Sequence, residues 1–253
     1  MDAAATFAIA SDGYAAGRPY YPPALFEWIA RQCARHEAAW DCATGTGQAA
    51  IGLSPWFTHV EATDISAEQV GHGAPAPNVR YSVQPAEATQ FPDASFDLVT
   101  VAQALHWFDY PRFWREMRRV ARPGAFFCAF GYSWWNRTAE LEALHGDYLD
   151  PLLELLEPHW ADNNRVLWRG YRSGEIAFPF ERVEAPPFNI ELDWTVERIV
   201  AFTQTWSAWK RAMEDPDKAA SIRRLEATAA ERFAGRGAMR ITFPIPIAAG
   251  RTA

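Results

Sequence analysis

Two acids bracket a glycine turn early in this chain, and together they define a small piece of chemistry. Asp41 lies near the end of a short apolar run, Ala38 to Cys42. Thr44-Gly45-Thr46-Gly47 follows, then a helical segment from Gln48 to Trp56 and a second apolar run from His59 to Thr63 that ends in Asp64. The order is strand, glycine turn, helix, strand, acid, the unit that holds an adenosine-containing cofactor in doubly wound folds. Glycines let the backbone approach a ligand and take dihedrals that other residues avoid. The helix start offers unpaired N–H groups. Asp64, at a strand end, can accept both ribose hydroxyls in charge-assisted hydrogen bonds. Gly45-x-Gly47-x-x-Ala50 also satisfies the nicotinamide fingerprint, so the turn alone leaves the cofactor open.

A second group of candidates follows the apolar run Ser95 to Val101, which has the near-continuous hydrophobicity of a buried parallel strand. It leads directly into Ala102-Gln103-Ala104-Leu105-His106-Trp107-Phe108-Asp109. Open parallel sheets place their ligands at such a carboxyl end. His106 is therefore the candidate base or substrate ligand. Trp107, Trp134 and Trp206 are candidate pocket walls able to favour a cation through their ring faces. The histidines are scattered and no H-x-x-x-H or C-x-x-C spacing occurs, so no metal site is expected.

The elements that must position these residues are legible in outline. Pro22 and Pro23 suit the start of a helix running to about Arg35 with an apolar stripe of Leu25, Trp28, Ile29 and Cys33. Ser66 is a plausible cap for a short helix to about Gly71. A third strand lies near Val79–Val83, and a helix ends in the Arg118, Arg119, Arg122 cluster before a fifth strand. Residues 132–175 change character: apolar spacing at Leu141, Leu144, Tyr148, Leu152, Leu155 and Leu156 reads as helix, interrupted or kinked at Pro151. An extended stretch from Phe178 to Trp194, helices from Thr195 to Ala212 and from about Lys218 to Phe233, and a last strand over Ile241–Ile247 complete the chain. Pro244 and Pro246 confine that strand to an edge or a bulge.

With 253 residues the chain fits one large domain or a domain with an embedded cap, and half of its residues are hydrophobic. The net charge of −7, with no Lys/Arg block, argues against a protein that tracks nucleic-acid phosphates. No basic start with a long apolar run is present, and no segment approaches the roughly 20 apolar residues of a membrane span. A cytoplasmic location is expected, as a monomer or homodimer, with Cys33, Cys42 and Cys128 as free thiols.

Asp41 opens the string D-x-A-x-G-x-G, which resembles the D/E-x-G-x-G-x-G signature of class I S-adenosylmethionine-dependent methyltransferases, with Ala43 in place of the first glycine. FDLVTVAQALHWFD, the helix after it and Arg122-Pro123-Gly124-Ala125-Phe126-Phe127 resemble the methyltransferase type 11 group, and the match runs from residue 37 to 131. Tyr14-x-x-x-Arg18-Pro19-x-Tyr21-Pro22 is similar to a segment of small-molecule methyltransferases related to the trans-aconitate methyltransferase group, as is Thr205-Trp206-Ser207-Ala208. The resemblance implies a doubly wound, Rossmann-like seven-stranded sheet, mostly parallel with the last strand antiparallel, under a helical cap. The core would comprise residues 1–131, 176–194 and 237–253, and the cap 132–175 and 195–236. It implies S-adenosyl-L-methionine as cofactor, held by Tyr14, Arg18, Asp41, Ala43, Thr44, Gly45, Gly47, Gln48, Asp64, Ile65, Ala86, Glu87 and Gln103. Methyl transfer to a small-molecule carboxylate or hydroxyl would follow. Pro85 stands where an acid is often found, and with Ala43 it departs from the pattern. A nicotinamide-type or a non-catalytic nucleotide-binding domain remains the alternative.

Overall fold

The computed structural model describes residues 19–252. In chain order its elements are α1 (Pro23–Arg31), β1 (Ala38–Cys42), α2 (Gln48–Leu53), β2 (His59–Asp64), α3 (Ala67–Gly71), β3 (Val79–Val83), β4 (Phe96–Ala102), α4 (Tyr110–Val120) and β5 (Ala121–Phe130). After β5 come one helical turn (Glu142–Leu144), a π-helical stretch (His145–Leu149), α5 (Asp150–Leu156) and α6 (Asn164–Trp168). The chain closes with β6 (Asn189–Trp194), α7 (Val196–Thr203), α8 (Ser207–Ala212), α9 (Pro216–Arg232), β7 (Met239–Pro244) and β8 (Ile247–Arg251).

Six strands form the central sheet in the order β3-β2-β1-β4-β5-β8, all parallel except β8, which runs antiparallel to β5. The inner strands β1, β4 and β5 are buried on both faces, and their side chains divide by alternation, as strand geometry requires. Ala39, Leu98, Phe126, Cys128 and Phe130 face one core with Leu25, Phe26 and Ile29 of α1. Trp40, Cys42, Val99, Val101 and Phe127 face the other with Phe113, Trp114 and Met117 of α4. The sheet order reverses between β1 and β4, and the carboxyl ends of those two strands open the crevice in which such sheets bind ligands.

The strand count differs from expectation. The extended stretch contributes only β6, and β6 pairs with β7 in a separate antiparallel ribbon, Ile190 opposite Phe243 and Trp194 opposite Met239. The single last strand expected over Ile241–Ile247 is two strands. Proline cannot donate to a ladder, and the chain turns at Ile245-Pro246, leaving β7 in the ribbon and sending β8 into the main sheet. Pro151 does not interrupt the cap helix; it sits in the first turn of α5, where proline is tolerated, and the irregular stretch is the π segment before it. The expected helix over Thr195–Ala212 is likewise broken between α7 and α8. Cys33, Cys42 and Cys128 are free and buried. No described helix is long and apolar enough to cross a membrane.

Candidate active site

The glycine turn takes its shape from alternating left-handed residues. Ala43, Gly45 and Gly47 have φ of 55°, 58° and 90°. At Gly47 a side chain has no room, because a Cβ there would lie 2.0 Å from the Tyr81 hydroxyl. Ala43 holds the position that resembles the signature's first glycine, and it pays a left-handed strain that glycine would not. Below the turn Asp41 is fully buried. It accepts hydrogen bonds from the hydroxyls of Thr44 and Thr100. Burial raises its pKa from 3.8 to about 6, against the pull of those two bonds. Asp41 thus braces the turn from beneath and does not line the open cleft.

Asp64 at the end of β2 closes the arrangement. Its Oδ2 accepts from the Gly45 N–H at 2.9 Å and its Oδ1 from the Ser66 N–H at 2.9 Å. Both oxygens are fixed in direction and each retains a lone pair for a further donor. Ser66 caps α3 by accepting from the Gln69 N–H.

A cleft of about 1070 Å³ opens over this floor. Small-ligand pockets span roughly 300–1,000 Å³, so this cleft stands at the upper end of that range. Of the residues singled out from the sequence, Ala43, Thr44, Gly45, Gln48, Asp64, Ile65, Ala86, Glu87, Gln103 and Trp107 line it. Ile65 and Trp107 are 76% and 53% exposed. Glu87 accepts from the Asp109 N–H. Gln103, itself at φ 60°, donates its side-chain amide to the Tyr132 carbonyl and so bridges the ends of β4 and β5. Tyr14 and Arg18 lie outside the described residues.

Five expected site residues do not line the cleft: Asp41 and Gly47 lie in the turn's supporting structure, and His106, Trp134 and Trp206 lie elsewhere. His106 is buried and turned toward the cap, 3.2 Å from the Tyr171 hydroxyl. Burial lowers its pKa from 6.5 to about 4, with a bond to Asn164 opposing, so the imidazole is neutral at pH 7. Trp134 and Trp206 pack with Trp160 and Trp168 in an aromatic cluster whose contacting rings have centroids 5.1 to 5.8 Å apart.

Sequence reading missed part of the cleft wall. The loop His72-Gly73-Ala74-Pro75 flanks the glycine turn, with the Ala74 N–H donating to the Thr46 carbonyl. Tyr20, Tyr132, Ala201, Gln204, Thr205 and Lys210 form the cap end. The Thr205-Trp206 segment carried the only sequence signal toward that end, and its neighbours do the lining. Among the described residues no group of three or more His, Cys, Asp or Glu could hold a metal.

The comparisons with known proteins agree with this geometry. Residues 40–129 match the methyltransferase domain family. An uncharacterised methyltransferase of Mycobacterium tuberculosis is 32% identical over 181 residues, covering 67% of this chain and 72% of that protein. A Dictyostelium discoideum protein, also described as a methyltransferase, is 26% identical over 206 residues, 80% of this chain and 77% of its own. A solved structure described as a type II methyltransferase from Anaeromyxobacter dehalogenans superposes with a TM-score of 0.78 at 39% identity, covering 92% of this chain and 97% of that one. With its parallel sheet, its acid-flanked glycine turn and these relatives, the chain belongs to the class I methyltransferase family.

Proposed function

We propose that this protein transfers a methyl group from S-adenosyl-L-methionine to a small molecule, at a carboxylate or hydroxyl, beneath the helical cap. The observation that carries the reading is the two-ended cleft. One end has a ribose-ready carboxylate, Asp64, pinned by two backbone N–H groups beside a left-handed glycine turn. The other is walled by the cap residues Ala201, Gln204, Thr205 and Lys210.

The residues present fit the cofactor. Asp64 would accept from the ribose hydroxyls, the backbone of Thr44 to Gly47 would pass close to the ligand, and Ala86 and Glu87 would edge the adenine. When bound, the cofactor would supply an activated methyl group on its sulfonium sulfur for displacement by the acceptor oxygen. The protein's share is proximity, alignment and exclusion of water. Among the described lining residues the candidate bases are already engaged. Asp64 is held at both oxygens, Glu87 accepts from the Asp109 N–H, and the His72 ring donates from Nδ1 to the Glu68 carbonyl, while His106, outside the lining, points away. A carboxylate acceptor is ionised at neutral pH and needs no base, so this supports a carboxylate ahead of a hydroxyl. The acidic balance of the chain fits a small substrate better than a nucleic acid.

Calorimetric titration with S-adenosylhomocysteine, and separately with NAD, tests the cofactor. Micromolar binding of the first and none of the second is expected. The reverse would sink the assignment and return the nicotinamide reading.

A further inference from the structure

Lys210 is the one lysine or arginine among the described residues of the cleft wall, and it stands at the cap end on α8. The acids of the cleft, Asp64 and Glu87, belong to the opposite end, beside β2 and after β3. Nothing described on the cap neutralises Lys210. Other cap cations are engaged: Arg211 donates to the His159 carbonyl, Lys218 reaches the His159 ring, and Arg232 pairs with Asp147. One oxygen of Glu226 is used by two neutral donors, the side chains of Gln204 and Trp209. The Thr205 hydroxyl donates to the Phe202 carbonyl, so toward the cleft it can only accept. The cap end therefore offers acceptors from Thr205 and one full positive charge from Lys210.

We propose that Lys210 is the acceptor's anion anchor: it holds a carboxylate of the acceptor at the cap end, separate from the group that is methylated. The inference rests on the methyltransferase reading and adds a substrate class to it, a bifunctional acid with one end on Lys210 and the other presented to the cofactor. An ammonium paired with the attacking oxygen itself would draw charge from the nucleophile, which is why the anchored carboxylate is the distal one. Lys210 is exposed to solvent at this end, and a lysine sharing the cleft with a sulfonium also disfavours amine acceptors, because like charges repel.

The test uses tritiated S-adenosyl-L-methionine with malate, succinate and para-hydroxybenzoate, their primary amides, and matched amines, on wild type, Lys210→Met and Lys210→Arg. S-adenosylhomocysteine affinity and Tm are measured on each protein. The expected result is methylation of one or more acids and not of the amides or amines. Lys210→Met should raise KM for that acid roughly ten- to hundredfold, the loss of one charged hydrogen bond, with kcat and S-adenosylhomocysteine affinity unchanged, and Lys210→Arg should recover most of it. Acids handled equally well by Lys210→Met, methylation of the amides or amines, or no methylation of any acid overturns the proposal while leaving the methyltransferase reading in place. Loss of S-adenosylhomocysteine binding in the wild type would be the separate failure of that reading.

Discussion

Replacing Asp64 by asparagine should damage cofactor binding at least as much as replacing it by alanine. The usual expectation is the reverse, since asparagine keeps the shape and one carbonyl oxygen. Here both carboxylate oxygens already accept from backbone N–H groups, Gly45 on one and Ser66 on the other, each at 2.9 Å. An amide must turn its NH₂ toward one of those donors, so one backbone N–H faces another. A donor left unsatisfied costs about 1–3 kcal/mol, on top of the weakened ribose contact. Alanine loses both anchors, but Asp64 is only partly buried and water can replace them. One hydrogen bond to a charged group is worth about 1.5–3 kcal/mol, which is roughly ten- to 150-fold in affinity at about 1.4 kcal/mol per decade. Each variant would be titrated with S-adenosylhomocysteine by calorimetry and melted without ligand. Asparagine is expected to bind at least tenfold more weakly than wild type and to melt no higher than alanine. Near-wild-type affinity in the asparagine variant would refute the reasoning, because neither the anchoring geometry nor the ribose role of Asp64 could then be right.

The remaining predictions concern the turn, the displaced histidine and acid behaviour. Gly47→Ala should lower Tm strongly, since its φ is 90° and a methyl group would sit 2.0 Å from the Tyr81 hydroxyl. Ala43→Gly should leave the unfolding free energy within about 1 kcal/mol of wild type, as relief of left-handed strain offsets the extra freedom of the unfolded glycine. His106→Gln should lower Tm with kcat unchanged; a fall in kcat of about a hundredfold or more in a folded variant would mark it as a base after all. In acid two buried groups oppose each other. His106, held down from 6.5 to about 4, takes its proton first in the unfolded chain, so stability falls as pH drops from 6.5 toward 4. Asp41, raised from 3.8 to about 6, keeps its proton longer in the folded protein, so its contribution is full below pH 3.8 and is lost as pH rises through about 6. Asp41→Asn should therefore make Tm fall more steeply between pH 6 and 4, and a profile parallel to wild type would count against this account.

What the sequence disclosed and what it withheld divide along a physical line. The glycine turn and the two acids were legible because backbone dihedrals and strand ends dictate residue types at fixed spacing. The buried strands were legible because burial on both faces leaves an unbroken apolar run. His106 was placed at the correct sheet edge, yet the direction of its ring is set by Tyr171, distant in sequence and close in space. The tryptophans misled in the same way: Trp134 and Trp206 point at each other and at Trp160, and no local pattern encodes such a mutual choice. The strand count failed at Ile245-Pro246 because alternation reports that a segment is extended and says nothing about which sheet receives it. The cap end of the cleft was least visible, since residues such as Gln204 and Lys210 are ordinary helix-surface types until the fold sets them opposite the glycine turn.

The pairing of β5 with β8 also sets an order of events during synthesis. Residues Phe126 to Phe130 are all buried, and they are matched across that edge by Ile247 to Arg251. A chain leaving the ribosome completes β5 and then makes the whole cap before its partner strand exists. Throughout that interval a bare apolar edge is on offer to any neighbouring chain, as such edges are in aggregation. A message truncated anywhere between the end of β5 and Ile247 would leave that edge open for good. Its product would be expected to accumulate as insoluble material even if every residue of the glycine turn were intact.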